Sequence, residues 1–457
     1  MGITDSGLGA VRGNSLVTGG TAYNQILKEF YRPAIRDQLN SQTVLSRMLG
    51  RRSEGVEGKY MVIDLRVGRN FGFGFAAERG RLPDPLAQTY KQAKYNMRFS
   101  YGRMKFTGPS ASASRSDRGS FIRIMDAESQ GLMQDIAHND NRVMYGDGSG
   151  RLCEVSGSGT SAGPWTVINP GGITSSALGT QYLQPGMRVA VVANDTAATA
   201  VGTQPGAAFS SSYRSAFIGS IDRTAGTVSF VDGAGAATSL TKSSSSQPMF
   251  LYLANDWSTD LPGTSWGRGL EAQGLAAIVS DTDPVFQDGT SYPAGLGEVP
   301  VASNSIWAAP VIDNGGTAIP FNPDMLQQGM DLVHQISDGS VDTWVTTHGI
   351  RRQYLNLLVG SKRYPNTMEL DGGFKALTYD GRPIVVDKDC TRGRVYGLSL
   401  ETLFLIYETD YDWMDQDGSV LHRLPNEDAF QACLYRYWNM ATDQRNRNVL
   451  VTDIQDF

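Results

Sequence analysis

The stretch SFIRIMDAESQGLMQDIAHNDNRVMY, Ser120 to Tyr145, decides how the rest of the chain is read. Phe121, Met125, Leu132, Ile136 and Val143 are spaced 4, 7, 4 and 7 apart. At 100° per residue they fall within about 60° of one another, which predicts one long helix with a narrow apolar stripe. Arg123, Gln130, Gln134, His138 and Asn141 take the far side. Asp117 or Ser120 can cap the start, and Gly146 followed by Asp-Gly-Ser-Gly supplies a left-handed stop. At 1.5 Å per residue the helix is about 39 Å long, above the usual length. Such a helix is a beam, and its flanks make sense if it is a spine.

Working outward toward the N-terminus, Met61, Ile63, Leu65 and Val67 alternate with Asp64 and Arg66, and Tyr95, Met97, Phe99 and Tyr101 alternate with Lys94, Asn96, Arg98 and Ser100. Between them, residues 68 to 85 carry Gly68, Gly72, Gly74, Gly80, Pro83 and Pro85, a mobile tip. The expectation is an extended hairpin whose aromatic residues form a buried strand face. From Arg51 to Lys105 there are twelve Lys or Arg against five Asp or Glu, and an isolated ribbon is marginal in water, so it should lie on another, acidic surface. Residues 1 to 20 read as a flexible arm, and Tyr23 to Leu49 as a helix broken at Pro33.

Working outward toward the C-terminus, the chain is Ser, Thr, Gly and Ala-rich from Val155 to Asp256. Strand signals recur there at Trp165 to Ile168, Met187 to Val192, Phe217 to Ile221, Thr227 to Val231 and Phe250 to Leu253. Turn signals at Pro185-Gly186 and Ala225-Gly226 separate them, so a small antiparallel β domain is expected after the spine. Beyond Gly269, helices are expected at Met325 to Ile336 and Gly349 to Leu358. Strands are expected at Thr343 to Thr347, Arg382 to Val386, Val395 to Leu398, Leu403 to Glu408, Phe430 to Trp438 and Asn448 to Ile454. Residues 401 to 430 hold eight Asp or Glu against one Arg, a surface matched to the basic hairpin.

Bulk properties exclude several classes. The chain has 457 residues and a net charge of −6, which argues against a global electrostatic grip on nucleic acid. Cys153, Cys390 and Cys433 form neither a disulfide framework nor a cysteine zinc site and read as reduced residues of a cytosolic product. No apolar run is long enough to span a bilayer, and the N-terminus lacks a signal-peptide pattern. Met1-Gly2-Ile3-Thr4-Asp5-Ser6 fits a myristoylation pattern, without a polybasic run or second lipid site to support it.

Catalytic signatures are absent. There is no G-x-x-x-x-G-K-[ST], no H-E-x-x-H and no G-x-S-x-G. His138, His334, His348 and His422 have no second ligand at metal-binding spacing, and His138 reads as solvated or at a subunit contact. Asp410, Asp412, Asp415 and Asp417 before Gly418 suggest a calcium loop. In that register, however, position one is Trp413 and position twelve Leu424, which leaves a polar turn. No catalytic, cofactor or metal residue is assigned.

Several passages carry a resemblance in their order: Tyr90-Lys-Gln-Ala-Lys-Tyr95 through Tyr101-Gly102 and Gly108-Pro109, the helix ending in Tyr145-Gly146-Asp147-Gly148-Ser149-Gly150, and Leu270-Glu-Ala-Gln-Gly-Leu275. The strand and helix around Trp344 to Leu358, and Gly372-Gly373-Phe374 to Gly381-Arg382-Pro383, extend it. In element order the chain resembles the major capsid proteins of tailed bacteriophages, which have the Hong Kong 97-type fold. The resemblance implies an α+β subunit with a long spine helix, an extended β-hairpin loop, and peripheral and axial domains, plus the inserted small β domain. Its divisions would be residues 1–50, N-terminal arm and helix; 51–110, extended loop; 111–154, peripheral domain with spine helix; and 155–268, inserted β-rich domain. Residues 269–380 would form the axial domain and 381–457 the closing strands of both.

The implied function is structural. Hexamers and pentamers would assemble, in the host cytoplasm, into an icosahedral head enclosing double-stranded DNA without reading its sequence and without a membrane. A separate scaffolding protein or prior processing, a portal and a decoration protein are the implied partners. Lys59, Lys91, Lys94 and Lys105 are present, but no motif marks a crosslink. Subunit-interface candidates are Arg66, Arg69, Arg98 and Arg103 in the hairpin and Asp410, Asp412, Asp415 and Asp417 in the acidic segment. The alternatives are an encapsulin-like compartment shell and a β-rich extracellular glycan-binding or glycan-hydrolysing protein.

Overall fold

A computed structural model describes residues 44 to 456 apart from 54, 109–117, 158, 162, 174–177, 194–215, 233–234, 238–239, 243–248, 255–268, 285–294, 361–366, 371–373, 416–419, 421 and 425–426. The expected arm, the helix from Tyr23 (except Val44–Met48), Asp117, and Asp417 with Gly418 lie outside the described residues. Phe121, Arg123 and Met125 fall where only the helix backbone is described. The chain forms two units. One comprises Met1–Ser46, Phe99–Glu271 and Thr409–Tyr437; the other comprises Arg47–Arg98, Ala272–Glu408 and Trp438–Phe457.

In the first unit the long helix runs Arg118–Tyr145, 28 residues, or about 42 Å. It stops where Gly146 N–H donates to the Val143 carbonyl at 3.0 Å and Asp147 Oδ1 accepts the Ser149 N–H at 2.9 Å. Its stripe packs as expected, with Ile136 and Val143 buried. The polar side departs from expectation near the C-terminus, where Asp140 to Tyr145 are all buried, including Asn141. Polar side chains there are paired: Arg142 meets Glu271 and donates to Asn139 Oδ1 at 3.1 Å. Periodicity describes one buried face and cannot foresee a helix end enclosed on several sides.

The sheet under this helix pairs the strand Arg98–Thr107 with Ala429–Thr442, and within this unit Gly108 N–H donates to the Asp428 carbonyl at 2.7 Å. His422–Arg423 adds to the latter strand through His422 opposite Gln431 and Arg423 opposite Phe430. Gly102, Phe106, Ala432, Leu434 and Arg436 are buried, whereas Phe99, Tyr101 and Arg103 are exposed. Gly102 is where the helix comes closest. A Cβ there would collide with the Ile136 side chain and sit 3.0 Å from Leu132 Cδ1.

The same unit holds a closed six-stranded barrel in the order Ala216–Asp222, Thr227–Val231, Trp165–Ile168, Arg151–Val155, Met249–Leu253, Arg188–Ala193. All five strands read from sequence are present. The sixth, Arg151–Val155, sits just before the boundary read at residue 155 and pairs with Met249–Leu253 through Cys153 opposite Leu251. Inward side chains Val155, Val167, Val191, Ile218, Phe230 and Leu251 fill it. The turn into Thr227 has Gly226 at φ 68 as the Ala-Gly signal requires, with Asp222 Oδ1 accepting the Thr224 and Ala225 N–H groups at 2.8 and 2.9 Å.

The second unit is built on a seven-stranded mixed sheet in the order Val311–Ile312, Val449–Val451, Val395–Leu398, Thr343–Thr346, Arg382–Val386, Phe374–Tyr379, Thr367–Leu370. Helices Asp324–Ser337 and His348–Gly360 accompany it. Leu326, Val333, Trp344, Ile350 and Val449 belong to one core. Phe374–Tyr379 turns into Arg382–Val386 through Asp380 and Gly381, both at positive φ (47 and 74) as a tight hairpin requires.

The hairpin is also in this unit, and its register corrects the expected one. Tyr60–Gly68 pairs with Thr89–Asn96, not with a strand reaching Tyr101. Met97 breaks the run. Asn439 Nδ2 donates to the Asn96 carbonyl at 2.7 Å, and the chain leaves the ribbon there. On the ribbon Met61, Leu65, Ala93 and Tyr95 are buried, as alternation foresees. Beyond the break Phe99 and Tyr101 are exposed, against the expectation of one continuous buried face.

Candidate assembly surfaces

Asp140 ties the helix to its sheet. Its carboxylate, 2% exposed, accepts from Arg436 Nη1 at 3.0 Å, Tyr411 OH at 2.7 Å and Ser100 Oγ at 3.2 Å. Arg436 Nε reaches Asp410 at 3.1 Å, and the guanidinium lies 4.5 Å from the Tyr411 ring centre. Burial pushes the Asp140 carboxyl above its ordinary value, with Arg436, Tyr411 and Ser100 pulling the other way. These contacts join the helix to strand residues far from it in the chain.

The opposite face of that sheet is open and aromatic. Phe99 and Tyr101 are 51% and 54% exposed. Their rings stand edge-on to Tyr437 at 5.0 and 6.1 Å, and Tyr435 lies 5.0 Å from Tyr437. Partial burial and the Tyr437 hydroxyl push Tyr101 up to about 12. Tyr435 is raised by burial and by the carboxylates of Asp412 and Asp415 beside it. Cys433 is on this strand, half-buried, two residues from Tyr435.

The hairpin tip is the second open apolar surface. Phe73 is 77% exposed and Phe75 fully so, with Phe71, Leu82 and Leu86 also more than half exposed. Gly72 N–H donates to Asn70 Oδ1 at 2.7 Å and Arg81 pairs with Asp84 at 2.9 Å. At the ribbon's base, Tyr95 OH donates to the Thr442 carbonyl at 2.9 Å, and Lys94 lies 3.9 Å from Glu298.

The residues read from sequence fall as follows. Arg66 and Arg69 are exposed on the hairpin. Arg98, half-buried, starts the strand after the ribbon. Arg103 is exposed and donates to Gln431 Oε1 at 2.6 Å, while neighbouring Lys105 pairs with Glu427. Asp410 is engaged by Arg436 of its own chain, Asp412 and Asp415 are exposed beside Tyr435, and Asp417 lies outside the described residues. The acidic and basic segments thus already meet within one chain at Lys105 and Glu427. Sequence reasoning missed the exposed aromatics. Phe71, Phe73 and Phe75, alternating with glycine in a tip too irregular to bury them, were the available signal.

Among the described residues no three His, Cys, Asp or Glu side chains are grouped to hold a metal ion, and no helix is long and apolar enough to cross a membrane.

The architecture has solved counterparts. The capsid asymmetric unit of cyanophage A-1(L) is similar over 94% of this chain and 99% of that one, at 11% identity and a TM-score of 0.53. The chain has a capsid-subunit fold. The encapsulin complex of Synechococcus elongatus (8% identity, TM-score 0.45, covering 95% of each chain) and the capsid of a native GTA particle (9%, 0.43, covering 97% and 99%) are also similar. No family model matches the sequence, and no curated protein does either.

Proposed function

We propose that the chain is a major capsid protein that self-assembles into hexamers and pentamers of an icosahedral phage head enclosing double-stranded DNA. The observation that carries this is the shared fold across nearly the whole length of both this chain and the cyanophage capsid chain. Fold alone does not assign function. The open apolar tip of the ribbon supports the reading, because such a surface needs a neighbour to cover it. A net charge of −6 suits a container wall that must not grip the polymer packed inside.

In this reading residues 51–110 are the loop that overlaps a neighbouring subunit, the long helix is the spine of the peripheral domain, and residues 269–380 meet at the centres of hexamers and pentamers. Residues 381–457 close both domains. A scaffolding protein, portal and decoration protein complete the head, and the role carries no enzymatic step. The purified chain, imaged by electron microscopy, should form closed shells; a stable monomer at high concentration would remove the reading. Nuclease-protected DNA in shells recovered from infected cells would distinguish a virus head from a compartment with protein cargo.

A further inference from the structure

Asn-Gly occurs once in the 457 residues, at Asn314-Gly315. We propose that Asn314 is a self-modifying site. In the folded chain its side-chain amide is converted to a carboxylate through a cyclic imide with Gly315, and the new charge loosens the edge of the seven-stranded sheet. The site is independent of the shell reading, since it needs only the folded chain and water.

Position and backbone favour ring closure. Residues 313 to 317 form an exposed turn just after the edge strand Val311–Ile312, with Gly315 and Gly316 at φ 65 and 81. Closure requires the Gly315 nitrogen to lose its proton and reach Asn314 Cγ. Asp313 Oδ1 accepts the Gly315 N–H at 3.2 Å, which places a carboxylate base on the proton that must leave. Gly315 has no Cβ to crowd the ring, and no atom lies within 4 Å of where one would stand. The Gly315 nitrogen bonds to Cγ, the bond from Cγ to Nδ2 breaks, and Nδ2 departs with the proton as ammonia. Water then opens either carbonyl of the imide, giving an ordinary or an isomerised aspartyl link.

The same turn shows what the conversion does. Asn314 Nδ2 donates to the Thr317 carbonyl at 2.9 Å, and Asp453 Oδ2 accepts the Asn314 and Gly316 N–H groups at 3.0 and 2.7 Å. These bonds hold Asp453 at φ 59, a left-handed position costly for a residue with a side chain. Conversion removes the donor to Thr317 and adds a third carboxylate to a turn that holds those of Asp313 and Asp453, where like charges repel. Beside the turn, the Thr452 N–H donates to the Ile312 carbonyl and the Ile319 N–H to the Asp453 carbonyl, both at 2.9 Å. The two-residue strand Val311–Ile312 stands at the end of the sheet with Val449–Val451 as its neighbour, so these bonds are much of what keeps it in place.

The full-length folded chain is held in mildly alkaline and mildly acidic buffer, digested at intervals, and its peptides read by mass spectrometry against an unaged sample. The peptide containing Asn314 should split into two species, each heavier by the exchange of NH for O. It should do so about tenfold faster than peptides whose asparagine lacks a following glycine, and faster in the alkaline buffer. Asp313→Asn should slow the change severalfold in the folded chain but not in urea, where the turn is lost; an equal rate in the folded chain removes Asp313 as the base. An Asn314 peptide unchanged in the folded chain, while the same chain in urea converts, would overturn the proposal. Asn314→Asp supplies the charge directly. Hydrogen exchange at Gly316, Ile319 and Thr452 should then quicken about tenfold, with Val345 in the middle of the sheet unchanged. Unaltered exchange at those three amides would overturn the loosening.

Discussion

Gly102 shows how much one missing side chain decides. The helix stripe rests on bare backbone there, so Gly102→Val should cost about 1–3 kcal/mol through overpacking, read as a lower urea midpoint at unchanged slope. Asp140 is the electrostatic counterpart. Asp140→Ala removes one of the carboxylates that hold buried Arg436, and about 3 kcal/mol should be lost in the same experiment. An equal midpoint would mean the network contributes nothing to holding the helix. Burial also sorts the cysteines: a thiol reagent should modify one group in the folded chain, Cys433, and three after denaturation. The seat at Gly102 was not legible beforehand, since a glycine in an alternating strand is equally a bulge, a bend or a close approach.

At the scale of elements, the barrel and the ribbon behave oppositely. The barrel's first and last strands pair with each other, so its two ends leave side by side, and among the described residues its core cluster is drawn from residues 152–254. Residues 151–254 expressed alone, roughly 100 residues and within the usual size of a domain, should show a β-type spectrum and a cooperative melt. A spectrum of unordered chain would show that the barrel needs its host. The ribbon has no such core beyond its base. Arg66→Glu with Arg69→Glu should leave monomer stability within about 0.5 kcal/mol, because both side chains are exposed. Assembly should slow, least at high salt, where such charges are screened. The alternation at Met61, Ile63 and Leu65 was readable, but the break at Met97 was not. It depends on Asn439, some 340 residues away, taking the Asn96 carbonyl.

For the whole molecule, acid and base should act differently. Burial raises Tyr95, Tyr396, Tyr411, Cys153 and Cys390 above their ordinary values. A raised acid favours the folded state fully below its unfolded value, and that stability is lost as pH climbs past it. Unfolding midpoints should therefore fall above about pH 9, where unfolded thiols and then phenols ionise. Tyr95→Phe should flatten part of that fall while costing about 1 kcal/mol at neutral pH, from the carbonyl of Thr442 left without its donor. Elements with a local cause were legible from the residues alone: the long helix, from a stripe repeated over many turns, and the barrel strands, from alternation between turn residues. The sequence also carried the order of elements that led to a capsid-type reading. Tertiary structure alone decided which strands share a sheet, that Arg151–Val155 closes the barrel, that Asn141 is buried, and that Phe99 and Tyr101 point outward. Those outcomes depend on partners distant in the chain, and periodicity can mark two faces of a strand without saying which one a distant helix will cover.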